Sequence, residues 1–564
     1  MLTVTEKTKL AFLQSSSHKE LKITFPDHDL IVGNANIVQE SMELEESIMS
    51  GNDLEFIGCE SNRFSIDLSG TLIDVDGVPV TKDLTGTDIS VSIKASGSEE
   101  SIPLFVGTVV EYDGKSNTRK KSITAYDALY WLGDSAKGEV DWTDYNTLKF
   151  PITIKKFRNW LFGKVGIEQE SVALPADDIE TRGLDDYVFS QTRKYQRGEL
   201  CKYHGKVYAR KVYTKQKEIS FESAKWYQPA EYDSTKVYKY GTVIAKNGAF
   251  YLCNKDFSAA KEYSEEDWSE IEFETEYSDE NTTYLDLIKL VCQLNCVFGR
   301  INRYGKFTYI FPTQLTEDDG FYPGAESFLP MYPTTGIDDS TSTDSASNSV
   351  HYAHYKEVTY ETYKIKPLNR FIVRDSAKDK TKGNAGTGKR KYIVQGNQLL
   401  FGLDRMWKTQ LATLLMAQNE GFTYQPFEAT TMGLPYIECG DVAMFYVYDF
   451  INSAQQQKDI WVEMSFIVLH RKLTGIQQLI DEFSATGEKG NTHISGSEAQ
   501  VNQNYTNTQI QKLQTSQSYT ESNVENLNEQ VEQLQASGLK VESVTALPSS
   551  PDANTIYLIQ GTAG

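Results

Sequence analysis

The chain has little of what catalytic and secreted proteins are built around. Six cysteines in 564 residues make no disulfide scaffold, and seven histidines leave little room for a metal centre. No run of about eighteen apolar residues occurs, so no membrane-spanning segment is expected. The opening stretch MLTVTEKTKLAFLQSSSHKE lacks the apolar core of a secretory signal. Folding and assembly in a cytoplasm is therefore the expectation, and a cell-surface adhesin is disfavoured on the same ground. GxSxG, GxxxxGK[ST], HExxH and paired CxxC motifs are all missing.

The nearest approach to a phosphate loop, GNAGTGKR (Gly383 to Arg390), ends in Arg390 where a Ser or Thr would hold magnesium, and it reads as a flexible basic loop. Cys292 and Cys296, four apart in LVCQLNCVF, share a helix face and read as small packing thiols rather than half a zinc site. His351 and His354 fall in a strand-like stretch, where residues three apart point to opposite faces. Asp74 with Asp76, or Glu265, Glu266 and Asp267, resemble a glycosidase acid and nucleophile only in residue type. In an acidic chain such clusters read as solvated turns. No catalytic residue, metal or cofactor is expected. The net charge of −22 also argues against binding nucleic acid by charge.

What is present is strand pattern in two blocks. RFSIDLSG, DISVSIKA and PLFVGTVVEY alternate apolar and polar residues between Gly, Asp and Asn turns, as in an antiparallel barrel or sandwich; DLEFIGC reads the same way. SITAYDALYWLGD reads as a strand entering a short helix. ITIKKFRNWLFGKVG is an amphipathic helix with Ile154, Phe157, Leu161 and Val165 on one face and Gly166 as its stop. TTYLDLIKLVCQLNC is a second helix, and VFGRINRYGKFTYIF a hairpin turning at Tyr304-Gly305. After a Ser/Thr/Asp-rich loop, strands resume from Val350, interrupted by one helix, RMWKTQLATLLMAQ.

Between the blocks lies a duplication. YQRGELCKYHGKVYARKVYTKQKEISFESAKW superposes on VYKYGTVIAKNGAFYLCNKDFSAAKEYSEEDW at an offset of 43, pairing Tyr195 with Tyr238, Gly198 with Gly241, Gly205 with Gly248 and Tyr208 with Tyr251. Residues 191–271 include fifteen aromatics among 81. Residues 191–230 hold ten Lys/Arg against three Asp/Glu, and residues 231–271 five against eight, so the first copy is a basic island. Cores this small need most of their own rings to fold. Tyr195, Tyr208, Tyr238, Tyr251 and both tryptophans are the rings a small core would claim. Tyr213, Trp226, Tyr227, Tyr240 and Trp268 are the candidates for facing solvent and binding carbohydrate, the two tryptophans standing in both sets.

Past a linker at 488–500, a heptad places Ile510, Gln517, Val524 and Val531 at a, with Leu513, Thr520, Leu527 and Leu534 at d. A coiled coil over 501–537 is the expectation, with a solvated single helix as the alternative. Its number of strands is not fixed by the seam. A turn and strand, LPSSPDANTIYLIQG, follow.

IVGNANIVQESMELEESIMSGNDLEFIGCESNRFSIDL (Ile31 to Leu68) resembles the N-terminal motif of the tail-tip hub, or tail-associated, proteins of phages of Gram-positive bacteria. The likeness continues in order through ITAYDALYWL, TYLDLIKLVCQLNCVFGRINRYGKF, YETYKIKPLNRFIVRD, YIVQGNQLLF, FTYQPFEATTMGLPYIECGDVAMF and IVLHRKLTGIQQLIDEFSATG. It spans residues 20–190 and 272–487. The resemblance implies a multidomain, mainly β protein with α+β parts. Two tube-like β-barrel domains (1–135 and 350–487) would flank a mixed α/β centre (136–190 and 272–349). The two inserted β modules (191–230 and 231–271) interrupt that centre, and the coiled coil leads to an attachment element (538–564). It further implies a homotrimer at the virion tail tip, placed below the distal tail protein or tail-tube hexamer, carrying a tip fibre, with DNA only passing through its channel. A contractile-tail hub would read alike.

The duplicated segment resembles a second family, the small aromatic carbohydrate-binding modules found beside chitinases and cellulases. Tyr195, Gly198, Leu200, Tyr203, Gly205, Tyr208 and Trp226 match in the first copy, and Tyr238, Gly241, Val243, Gly248, Tyr251 and Trp268 in the second. Val212-Tyr213 and Lys255-Asp256 stand where that family has a Trp pair. Contact with a host cell-wall glycan, or with an anionic polymer such as teichoic acid, is what this likeness implies. A glycan- or peptidoglycan-degrading tail enzyme carrying two such modules is the alternative.

Overall fold

Alternation of apolar and polar residues builds most strands of the first half. In the computed structural model, which describes residues 2–14, 17–49, 58–114, 120–134, 136–212, 220–279, 281–311, 355–365, 367–448, 461–487, 540–544 and 555–559, a short helix α1 (Glu6–Leu13) precedes seven strands. These are β1 (Lys19–Phe25), β2 (Leu30–Val32), β3 (Glu43–Ser47), β4 (Arg63–Ser69), β5 (Asp88–Ala95), β6 (Ile102–Gly114) and β7 (Lys120–Tyr126). In β4, Phe64, Ile66 and Leu68 are buried while Arg63, Ser65, Asp67 and Ser69 are not, the period of two that gives a strand one wet face. Most of DLEFIGC lies outside the described residues.

The centre is mixed. It contains α2 (Ala128–Leu132), α3 (Trp142–Tyr145), the short strand β8 (Ile152–Thr153), α4 (Ile154–Val165) and β9 (Glu180–Thr181). Helix α4 starts on the Thr153 hydroxyl, which accepts from the Lys156 N–H, and stops at Gly166 with φ +70°, a left-handed cap that suits glycine. The insert follows as β10 (Leu200–Tyr203), β11 (Lys206–Arg210) and β12 (Trp226–Tyr227), then β13 (Val243–Lys246), β14 (Ala249–Cys253) and β15 (Trp268–Ile271). Helix α5 (Tyr284–Asn295) opens with a reciprocal Thr283–Asp286 capping box. It leads into the hairpin β16 (Phe298–Ile301) and β17 (Phe307–Ile310).

The second half comprises β18 (Tyr355–Tyr360), β19 (Arg370–Arg374), β20 (Gly383–Gly386), β21 (Tyr392–Gln395), α6 (Arg405–Asn419), β22 (Phe427–Met432), β23 (Val442–Tyr448), β24 (Trp461–Ile467), β25 (His470–Thr474) and β26 (Ile480–Ala485). GNAGTGKR, expected as a flexible loop, contributes β20 to a three-stranded sheet with β19 and β21. Glycine permits this because a Cβ on Gly383 would lie 2.1 Å from the Lys408 backbone of α6. The segment packs its backbone on a helix.

The two β-rich halves share one sheet. Its order is β18-β22-β26-β25-β3-β4-β7-β6-β5-β1-β2, eleven strands, and the halves meet where β25 pairs antiparallel with β3. Residues from Ser497 onward form a separate unit, described only as β27 (Lys540–Val544) and β28 (Thr555–Ile559), a parallel pair. The heptad positions Ile510, Leu513, Gln517, Thr520, Val524, Leu527, Val531 and Leu534 lie outside the described residues.

Candidate functional site

One face of the shared sheet is polar from one half to the other. Cross-strand partners run Glu357–Thr430–Glu482–Lys472–Glu45–Arg63–Tyr126–Thr108–Asp88, nine strands in succession, and none of the nine is buried. A flanking row, Thr359–Glu428–Ser484–His470–Ser47, repeats the character. The face is concave around the junction, enclosing about 870 Å³ lined by Glu45, Arg63, Glu357, Glu428, Lys472 and Glu482 among others. Lys472 Nζ lies 2.7 Å from Glu43 and Arg63 Nε 2.9 Å from Glu45, so the cations are matched within the surface. Glu357, Glu428 and Glu482 are exposed. Cross-strand opposite charges hold such a face together without closing it to water.

The other face of the same junction is a buried ion network. Arg471 on β25 lies opposite Glu46 on β3, with Nη1 2.8 Å from Glu46 Oε2 and Nε 2.8 Å from Asp481 Oδ1. Arg303, in the turn of the β16–β17 hairpin, reaches the same carboxylate at 3.1 Å, and Arg300 pairs with Glu438 at 3.1 Å. Burial alone pushes the Glu46 carboxyl up. Arg303, Arg471 and Arg300 outweigh it and hold the group at about 2. Arg471 also donates to the Ile437 and Leu434 carbonyls, which spends its remaining donors on backbone. Nothing in the sequence pattern of these residues announced the network: Glu46, Arg471 and Asp481 take the buried positions of otherwise regular alternations, while Arg303 comes from a hairpin turn.

The two inserted copies are separate three-stranded sheets, β10-β11-β12 and β13-β14-β15. Trp226 and Trp268, candidates for facing solvent as well as for the core, prove to be core, buried at 2% and 5% exposure. Each is the hub of its copy's ring cluster: Trp226 packs with Phe189, Tyr195 and Phe221, and Trp268 with Tyr232, Tyr238 and Phe257. A fold with so small a core cannot spare its largest side chain for solvent. Tyr227 is also committed, since its hydroxyl accepts from the Val243 N–H at 2.7 Å and its ring joins the apolar seam between the copies. Tyr240 is exposed at 59%, and Tyr213 lies outside the described residues. Lys255 and Asp256, where the Trp pair was sought, make structural contacts: Lys255 with Asp267 at 2.6 Å, and the Asp256 carboxylate with the Tyr240 N–H at 2.9 Å.

All six cysteines are free and buried, and Cys59 and Cys292 sulfurs lie 3.5 Å apart. Among the described residues no group of three or more His, Cys, Asp or Glu is placed to hold a metal ion, and no helix is long and apolar enough to cross a membrane.

No protein-family model and no curated protein matches the chain. Among solved structures, it is similar to the 43 kDa tail protein of prophage MuSo2 from Shewanella oneidensis, at 8% identity and TM-score 0.36, covering 82% of this chain and 97% of that one. It is similar to a tail protein from Neisseria meningitidis MC58 at 10% identity and TM-score 0.36, covering 84% and 97%. Prophage tail protein gp18 from Listeria monocytogenes EGD-e aligns at 9% identity and TM-score 0.35, covering 84% and 95%. Likeness at this level assigns neither a partner nor an activity.

Proposed function

We propose that the chain is a structural subunit of a phage-type tail tip, a hub that assembles as a homotrimer, continues the tail tube and carries tip fibres on its C-terminal segment. Subunits joined edge to edge would set the concave polar face around a channel for DNA, and the inserted copies would reach the host envelope. The observation that carries this reading is the polar row running without a break through nine strands of both halves. An enzyme needs a few converging groups, whereas a tube wall needs a long wetted face with matched charge and an acidic excess that repels phosphate. The ordered resemblance of residues 20–190 and 272–487 to tail-tip hub proteins supports the same conclusion, as do the outer strands β2 and β18, which end the sheet among the described residues.

Light scattering on the full-length protein, beside a copy ending before Val501, tests it. The expected result is a trimer that loses cohesion on truncation. A monomer at micromolar concentration that also fails to join tail-tube rings would overturn the hub.

A further inference from the structure

Each inserted copy contains a column of near-parallel rings, and the two columns end differently. In the first, Tyr203 stacks on Phe221 with 4.0 Å between centroids and 9° between planes, and Phe221 on Trp226 at 5.5 Å and 21°. In the second, Tyr263 lies parallel to Trp268 at 6.2 Å and 12°, and the Lys246 ammonium sits 3.2 Å from the Tyr263 centroid. Lys246 follows Tyr203 by 43 residues, and Tyr263 and Trp268 follow Phe221 and Trp226 by 42, so these are equivalent places. One column ends on the half-buried Tyr203 ring, which has Phe189 edge-on at 6.0 Å and the tilted His204 ring at its side but no cation over it among the described residues. The other is closed by the chain's own charge, a cation over a π face.

The hairpin tips differ in the same sense. Tyr203 faces Lys206 across a two-residue turn of His204 (φ +48°) and Gly205 (φ +73°), whereas Lys246 faces Ala249 across Asn247 (φ +53°) and Gly248 (φ +83°). His204 and Lys206 are exposed, and the His204 ring lies 4.3 Å from that of Tyr203. The surrounding copy has ten Lys/Arg against three Asp/Glu, which disfavours a cationic ligand.

We propose that the half-buried Tyr203, backed by Phe221 and Trp226 and flanked by His204 and Lys206, is a binding platform for an anionic saccharide polymer, and that the second copy is a spacer closed by Lys246. The proposal rests on the host-envelope part of the reading above. A flat ring pre-set by two rings behind it takes the CH-rich face of a pyranose with little ordering cost, and the basic tip meets the polymer's phosphate or carboxylate. The apolar seam between the copies, in which Val207, Tyr227, Phe250 and Leu252 pack around Leu200, Ala209 and Val243, holds the spacer rigidly against the platform.

The test exchanges the two column ends in the full-length protein. Tyr203→Lys copies the arrangement the second copy already folds with, and Lys246→Tyr is its reciprocal. Titration calorimetry uses glycosylated wall teichoic acid as the anionic probe and chitohexaose as the neutral one. Wild type is expected to bind teichoic acid, Tyr203→Lys to bind at least tenfold more weakly although it adds a positive charge, and Lys246→Tyr to bind as tightly or more so. Equal affinity of Tyr203→Lys and wild type would overturn the platform, and preference for chitohexaose would overturn the anionic class. A protein that trimerises yet binds neither probe overturns this inference and leaves the hub standing; a monomer that binds teichoic acid does the reverse.

Discussion

Arg471 and Glu46 face each other across the only pairing that joins the two β-rich halves among the described residues, 2.8 Å apart and buried on the side away from the polar groove. Arg303 shares the same carboxylate, so one Glu ties β3, β25 and the β16–β17 hairpin together. Removing that charge leaves two buried guanidiniums with reduced compensation. Glu46→Gln is expected to destabilise by about 3–5 kcal/mol, the range for breaking a buried ion pair from one side. The check is the denaturant midpoint, read by tryptophan fluorescence against the wild type.

The same residue sets an acid limit. Folding lowers the Glu46 carboxyl from 4.5 to about 2, so its ionised form stabilises the native state. That contribution is complete above pH 4.5 and is lost as pH falls through 2. Wild type should therefore lose stability relative to Glu46→Gln across this window, and the two curves should converge at its acid end. Parallel curves from neutral pH to pH 3 would contradict the assignment.

These junction residues show where sequence reasoning stops. Alternation in RFSIDLS and DISVSIKA marks strands because each apolar residue has an unambiguous side, and the ITIKKFRNWLFGKVG helix is legible through its 3.6-residue period and Gly166. ELEES (Glu43–Ser47) has the same alternation with Glu46 on the buried side, a position whose sense depends on Arg471, 425 residues away. Strand pairing between halves is likewise non-local and leaves no local trace. In the insert, ring composition was legible, but whether a given ring faces core or water depended on a core too small to release Trp226 and Trp268.

Gly383 measures how tightly the former loop is held. A Cβ there meets the α6 backbone at 2.1 Å, which cannot move aside as a side chain would. Gly383→Ala is expected to cost about 1–3 kcal/mol by overpacking and to raise amide exchange through β20 and the first turns of α6. ATP at millimolar concentration should protect neither.

Truncating the hub ring of each copy should unfold that copy alone. Trp226→Ala or Trp268→Ala is expected to cost about 3–5 kcal/mol, more than a three-stranded sheet of this size holds in reserve. Limited proteolysis should then cut within 191–271 while the eleven-stranded sheet stays intact. Protection at both copies in either variant would show that the seam formed by Tyr227, Val243 and Leu252 outweighs the individual cores.

The polar groove carries the last prediction. Glu357, Glu428 and Glu482 are exposed on adjacent strands of the concave face, and no ion pair involving them occurs among the described residues. Reversing them breaks no salt bridge, although Glu482 faces Lys472 across the β25–β26 pair and the reversal there sets two cations opposite each other, and it inverts the potential over the groove. The triple variant Glu357→Lys, Glu428→Lys, Glu482→Lys changes local charge by six units, enough to turn repulsion of phosphate into attraction. Wild type is expected not to retard double-stranded DNA in a mobility-shift assay at 50 mM salt, and the variant to retard it with an affinity that falls steeply as salt rises. If the face lines the channel of the proposed hub, the variant should slow DNA release from reconstituted tails without altering adsorption. Unchanged release, with DNA binding gained in solution, would place this face outside the channel.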